Sequence, residues 1–231
     1  MKTIGLLGGM SWESSIEYYR IVNETVRARL GGLHSAKCLM YSLDFAKVEP
    51  LQHQGRWDDA AALMIQAAQA LERGGADVIV ICTNTMHKLA EEVQRSVDIP
   101  ILHIADATAR AVKLAGFDTV GLLGTRFTME EDFYRGRLSE KHGLRVLLPD
   151  RAERDMVHDV IFDELCQGII LDSSRTHYLQ VCQHLVDAGA QGIILGCTEI
   201  GLLLRQDDTS IPLFDTTAIH AQQAVEWALA P

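Results

Sequence analysis

Gly75-Ala76-Asp77-Val78-Ile79-Val80-Ile81-Cys82-Thr83 is echoed 114 residues later, from 75 to 189, by Gly189-Ala190-Gln191-Gly192-Ile193-Ile194-Leu195-Gly196-Cys197. Both stretches open on a Gly-Ala turn and continue as an apolar run, the signature of a parallel strand covered on both faces. Two further pairs keep the same order. Ile4-Gly5-Leu6-Leu7-Gly8-Gly9 resembles Val120-Gly121-Leu122-Leu123-Gly124-Thr125, and Ile99-Pro100-Ile101-Leu102 resembles Ile211-Pro212-Leu213-Phe214, all at spacings of about 112–116 residues. One such match between glycine-, valine- and isoleucine-rich segments could be chance. Three in register point to two similar lobes.

Amphipathic stretches separate the strands. Ser11 is placed to cap a helix running to about Leu30, Trp57–Arg73 forms an Ala-rich helix ended by Gly74-Gly75, and a helix follows from about Met86 to Ser96. In the second half, Met129–Lys141, Arg151–Gly168, Ser174–Ala188 and Thr217–Ala230 read as helices. Regular alternation of strand and helix predicts α/β layers with parallel sheets and right-handed crossovers. The expected fold is two similar lobes, each a parallel sheet flanked by helices, related by a pseudo-twofold axis with the active site in the cleft between them. Lobe one would span 1–115, with 209–231 packing back on it, and lobe two 116–208.

Composition narrows the classes of function. The 231 residues are 48% hydrophobic and 23% charged, as in an ordinary globular protein, and the net charge of −10 argues against nucleic acid or anionic lipid as partner. No run approaches the roughly 20 apolar residues of a membrane span, and Ile4–Leu7 is too short for the apolar region of a signal peptide. The five cysteines fall at 38, 82, 166, 182 and 197, with no Cys-x-x-Cys pair. No metal site is expected from that spacing, and free thiols suggest a cytoplasmic protein. Cys38, Cys166 and Cys182 read as core residues. The start, Gly5-x-x-Gly8-Gly9, is not the Gly-x-Gly-x-x-Gly of dinucleotide-binding folds, and no phosphate-loop lysine is present.

The chemistry is concentrated where strands end. The first strand runs out at Gly8-Gly9-Met10-Ser11 and its repeat partner at Gly124-Thr125. The buried strands end at Cys82-Thr83-Asn84-Thr85-Met86-His87 and at Gly196-Cys197-Thr198-Glu199-Ile200. In parallel α/β sheets ligands bind beyond the carboxyl ends of the strands, where helix starts favour a carboxylate. The repeat aligns Thr83 with Cys197. Across a pseudo-twofold axis the two would flank one ligand, as a two-sided proton exchange at carbon requires. A register slip of one would pair Cys82 with Cys197 instead, and alternation along a strand forbids both from facing one site. The Gly75-Ala76 and Gly189-Ala190 anchors favour Thr83. A helix start beside Cys197 is expected to lower its pKa.

These residues resemble the aspartate/glutamate racemase superfamily. Gly196-Cys197-Thr198-Glu199-Ile200, Asn84-Thr85-x-His87 and Gly8-Gly9-Met10-Ser11 carry the likeness over essentially the whole chain. Cys-Thr-Glu looks like the aspartate racemase branch, where glutamate racemases have Cys-Thr-His. The resemblance implies a cofactor-independent amino-acid racemase of aspartate/glutamate or broad specificity, with two α/β lobes, no pyridoxal phosphate, no metal and a homodimeric state. It implies Thr83 and Cys197 as the catalytic pair. Met10, Gln52, Asn84, Thr85, Thr125, Thr198 and Glu199 would form the substrate-binding set, with Asn84, Thr85, Thr125 and Thr198 on the α-carboxylate of an amino acid. Two features depart from the family pattern. Thr83 stands where Cys-Asn-Thr would begin, so a hydroxyl replaces a thiol. Basic residues for an acidic side chain have no clear match among Lys47, Gln52, His53 and Arg56, and a family lysine position falls near Glu164. Polar neutral substrates such as homoserine therefore come into view. The alternatives are a superfamily relative acting on a malonate or dicarboxylate, as decarboxylase or cis–trans isomerase, and a non-enzymatic amino-acid-binding regulator.

Overall fold

Two parallel sheets repeat one strand order. The computed structural model describes residues 1–231. Its first half contains β1 (Ile4–Gly8), α1 (Trp12–Leu30), β2 (Cys38–Ser42), α2 (Phe45–His53), α3 (Trp57–Arg73), β3 (Val78–Ile81), a 3-10 turn at Thr85–Leu89, α4 (Ala90–Gln94) and β4 (Ile101–Leu102). The strands pair all-parallel in the order β2-β1-β3-β4. There follow α5 (Ile104–Leu114), β5 (Thr119–Gly124), α6 (Arg126–Glu130), α7 (Asp132–Gly136), β6 (Arg145–Leu147), α8 (Arg151–Asp163), α9 (Asp172–Asp187), β7 (Ile193–Gly196), α10 (Ile200–Leu203), β8 (Leu213–Asp215) and α11 (Thr216–Leu229). The second sheet, again parallel, has the order β6-β5-β7-β8. Each order is the other displaced by four strands, so the internal repeat in the sequence is a repeat of topology.

The hydrogen-bond ladders carry the correspondence to single residues. Gly5 lies opposite Ile79 in the first sheet, and its match Gly121 lies opposite Ile193 in the second. Counting onward along β3 from Ile79 and along β7 from Ile193, Thr83 and Cys197 occupy the same place. Cys82 corresponds to Gly196.

Alternation along the strands divides the core of the first half. Leu7, Ile79 and Ile81 pack with Ala60, Met64, Ala67, Ala68 and Leu71 of α3. Ile4, Leu6, Val78, Val80 and Cys82 point the other way, into Tyr18, Val22 and Val26 of α1 and Ala221, Ala224 and Val225 of α11. Cys82 is therefore a packing residue of the α1 face, and the side chain that follows it, Thr83, leaves that face. The small residues of α3 let the helix lie close to the sheet. A methyl group at Gly5 would sit 2.9 Å from the Ala76 Cβ, so glycine is required there too.

The chain divides into two units, 1–103 with 220–231 and 104–219. These limits differ from the 115/116 and 208/209 boundaries read from the sequence: α5 belongs to the second unit, and of 209–231 the part up to 219 does too, because β8 pairs with β7 there. Ile104, Ala105, Ala109 and Val112 join the core of the second unit beside β5, α8 and α9. Asp106 on the same helix takes Arg137, Lys141 and His142 of that unit at 2.7–2.8 Å, and these partners hold its carboxyl well below the usual range against the opposing effect of burial. No helix is long and apolar enough to cross a membrane.

Candidate active site

In the first unit the site residues follow β3 directly. Thr83, Asn84, Thr85 and His87 are all buried although all are polar. The turn is held by the His87 ring, whose Nδ1 lies 2.7 Å from the Thr83 carbonyl oxygen. A carbonyl only accepts, so Nδ1 carries the hydrogen. Gln52 comes from α2, an element the sequence reading did not assign. Its amide nitrogen donates to the Met86 sulfur at 3.0 Å, while its Oε1 is buried without a partner. An orphaned buried acceptor is destabilising, and a ligand N–H or O–H would satisfy it. Met10 is buried in the apolar cluster that contains Leu7, Met64 and Met86. Of the basic candidates, His53 pairs with Glu49 and Arg56 with Asp59, both on exposed surface.

Ser11 holds the N-cap position of α1 but makes no side-chain capping bond. The glycine loop is closed instead by Ser15. Its hydroxyl accepts from the Gly9 N–H and donates to the Ser11 carbonyl, each at 2.8 Å. Gly8 is fixed by the same residue, since a methyl group there would meet the Ser15 Oγ at 2.7 Å. Nothing in the sequence pattern marked Ser15 as the loop's brace.

In the second unit Thr125 follows β5 and caps α6, its side chain accepting from the Thr128 N–H at 3.3 Å. Cys197, Thr198 and Glu199 follow β7 and are 7%, 2% and 1% exposed. The Cys197 Sγ and the Thr198 Oγ1 both donate to one oxygen of Glu199, Oε2, each at 2.9 Å. Two threonines at the start of α11 secure this turn from behind. Thr216 Oγ1 donates to the Leu195 carbonyl at 2.7 Å and Thr217 Oγ1 to the Thr198 carbonyl at 3.4 Å.

The Cys197 thiol is pushed well above its ordinary range, first by burial and then by the Glu199 charge. This reverses the expectation that a helix start would lower it. The helix in question, α10, has only four residues and begins at Ile200. Desolvation and an adjacent carboxylate outweigh so short a dipole. Near Glu164, where a substrate-binding lysine would fall, the carboxylate instead accepts from the Ser174 hydroxyl at 2.6 Å.

Comparison with known proteins puts these two strand-end clusters in context. The model of the Asp/Glu/hydantoin racemase family matches residues 7–224. The broad specificity amino-acid racemase RacX of Bacillus subtilis is 26% identical over 235 residues, covering 98% of each chain. Among solved structures, a Yersinia pestis protein whose assignment as an Asp/Glu racemase is itself provisional is 56% identical, with a TM-score of 0.91 and full coverage of both chains. An aspartate racemase homologue from Pyrococcus horikoshii is 35% identical, with a TM-score of 0.85 and again full coverage.

Proposed function

Because the chain belongs to the Asp/Glu/hydantoin racemase family, we propose that it interconverts L- and D-amino acids by two-base α-proton exchange with no cofactor. The observation that carries this is the family match over residues 7–224. It includes the aspartate-branch run Gly196-Cys197-Thr198-Glu199 and the strand-end residues of both sheets. Decarboxylation, cis–trans isomerisation and mere binding are not favoured, since these three relatives, which cover 98% or more of the chain at 26% identity or more, are named as racemases or racemase homologues.

Racemisation requires a proton to leave one face of the α-carbon and another to arrive on the opposite face. Cys197 is the acid–base group for one face and Thr83 for the other. Asn84, Thr85 and Thr125 offer side-chain donors to the α-carboxylate, which must be held while charge builds on the adjacent carbon, whereas the Thr198 hydroxyl already donates to Glu199 and leaves its backbone N–H for that purpose. The unsatisfied Oε1 of Gln52 suits the α-ammonium or a polar side chain, and Met10 supplies an apolar wall. A neutral amide in place of a basic residue argues for broad specificity that includes neutral polar amino acids such as homoserine. Thr83 is a far weaker acid than a thiol, so abstraction from the Cys197 face is the easier direction. The kcat values of the two directions then differ and the KM values differ in parallel, because free enantiomers have equal free energy.

The test is deuterium incorporation at the α-carbon in D₂O, across the proteinogenic amino acids and homoserine. Exchange with at least one polar amino acid is expected. Absence of exchange with all of them in a folded protein would remove the racemase reading.

The five free cysteines suit a reducing cytoplasm. The expected assembly is a homodimer, supported by one apolar stripe on α1, where Trp12, Ile16 and Tyr19 are 60%, 54% and 52% exposed at helical spacing. Light scattering should give twice the 25.6 kDa chain mass. A mass of one chain at micromolar concentration would contradict it.

A further inference from the structure

Helix α8 buries Val157, His158 and Ile161. Val157 and Ile161 are ordinary core residues of the second unit. His158, 7% exposed, is a titratable ring that the two-base exchange does not use. Burying an imidazole is costly unless its nitrogens are bonded. Here Nδ1 lies 3.2 Å from the backbone nitrogen of Arg126 and accepts that N–H. A backbone N–H only donates, so Nδ1 carries a lone pair and the ring hydrogen sits on Nε2. Two aromatic neighbours fix the ring. Phe162 is tilted against it at a centroid distance of 4.9 Å, and Phe127 meets it in a T-shaped contact at 6.2 Å.

Arg126 is the first residue of α6, and the residue before it is Thr125. The first N–H groups of a helix find no partner within it. Thr125 Oγ1 accepts the Thr128 N–H, and His158 of α8 accepts that of Arg126. The Arg126 guanidinium also reaches α8, pairing with Asp155 at 3.3 Å, but both partners of that pair are nearly half exposed and it holds the loop weakly. The His158 bond is therefore the firm tie between α8 and the strand end that presents Thr125.

We propose that His158 is a positioning residue for the α-carboxylate end of the substrate. It acts through the peptide between Thr125 and Arg126. Accepting the Arg126 N–H fixes that peptide, and with it the direction in which the Thr125 hydroxyl is offered. The inference rests on the racemase reading, in which Thr125 binds the α-carboxylate, and adds a residue outside the substrate-binding set. Only a ring with a bare Nδ1 can do this. A protonated imidazole carries hydrogen on both nitrogens, and two donors would then face each other. Asparagine can stand in for it, because its Oδ1 takes the place of Nδ1 and also accepts. Phenylalanine keeps a ring beside Phe127 and Phe162 but deprives the Arg126 N–H of this acceptor.

The carboxylate is held in ground state and transition state alike, so a displaced Thr125 is read in KM. His158→Phe should raise KM for both enantiomers by about 10–100-fold with kcat within about threefold. His158→Asn should keep KM within about threefold of wild type. A packing role would give the reverse order, since phenylalanine fills the ring's place better than asparagine. A KM for His158→Phe within about threefold of wild type, or an Asn variant no better than the Phe variant, would overturn the proposal. A wild-type measurement needs no variant to fold. Long-range proton–nitrogen correlation NMR near neutral pH, with the ring identified by its NOEs to Phe127 and Phe162, should show hydrogen on Nε2 and a bare Nδ1. A hydrogen on Nδ1 would overturn the proposal. Absence of α-exchange in the wild type would instead sink the racemase reading, which the tautomer measurement does not probe.

Discussion

Cys197→Ser is expected to lower racemisation by at least about 10³-fold in both directions while leaving circular dichroism unchanged. The substitution keeps the size of the side chain and a hydrogen for the Glu199 Oε2, now 2.9 Å from the sulfur. What it removes is acidity. A serine hydroxyl ionises far less readily than even a strongly raised thiol, and each turnover needs this group to hold a proton in one half and release it in the other. Loss of the thiol's packing with its core neighbours is a small effect beside that. Retention of more than about a tenth of wild-type activity would exclude Cys197 as an acid–base group.

Thr83→Ala should slow both directions by about 10²–10⁴-fold, because a turnover needs a group on each face. Cys82→Ala should change activity by less than about threefold. The contrast follows from strand alternation. Cys82 is fully buried against α1 and α11, where desolvation pushes its thiol up, so its side chain serves packing on that face. Thr83 and Cys197 each lie four residues beyond the residue that faces the matched glycine, Ile79 opposite Gly5 and Ile193 opposite Gly121. Cys82→Ala leaves a small cavity and lowers stability by about 1 kcal/mol, so both variants must be compared at a temperature where both are folded. Should the Cys82 change abolish activity and the Thr83 change spare it, the pair would be Cys82 with Cys197. Thr83→Cys should shift the ratio of the two directional kcat values toward that of a symmetric thiol pair.

The strand positions and the internal repeat were legible in the sequence because parallel strands buried on both faces appear as unbroken apolar runs with glycines at their ends. Helices that follow a strand without an intervening turn were harder to read. Helix α5 has a well-marked buried face, with Ile104, Ala105, Ala109 and Val112 on it, but it begins two residues after β4, so it read as connection. Missing it displaced the boundary between the units. Helix α2 contains Pro50 and starts from the Asp44 cap immediately after β2, so it read as connection. Of three cysteines expected in the core, Cys182 is buried, whereas Cys38 and Cys166 are half-buried.

The candidate site was legible as positions more than as interactions. Thr83, Asn84, Thr85, Thr125, Cys197 and Thr198 announce themselves by following apolar strands. The bond from the Cys197 sulfur to Glu199 depends on the tight turn after β7, and no spacing rule foretells it. The direction of the thiol shift was misread for the same reason. The motif suggested a helix start, while the folded turn supplies burial and a carboxylate.

The two-base exchange is tested most directly by following a racemisation in D₂O by proton NMR from each enantiomer in turn. With Cys197 and Thr83 each serving one face, the product enantiomer should carry deuterium at the α-carbon from the first turnovers. The remaining substrate should stay protiated, because the proton removed on one face is not the one delivered to the other. If the remaining substrate gains deuterium as fast as product forms, a single base serves both faces and the account is wrong.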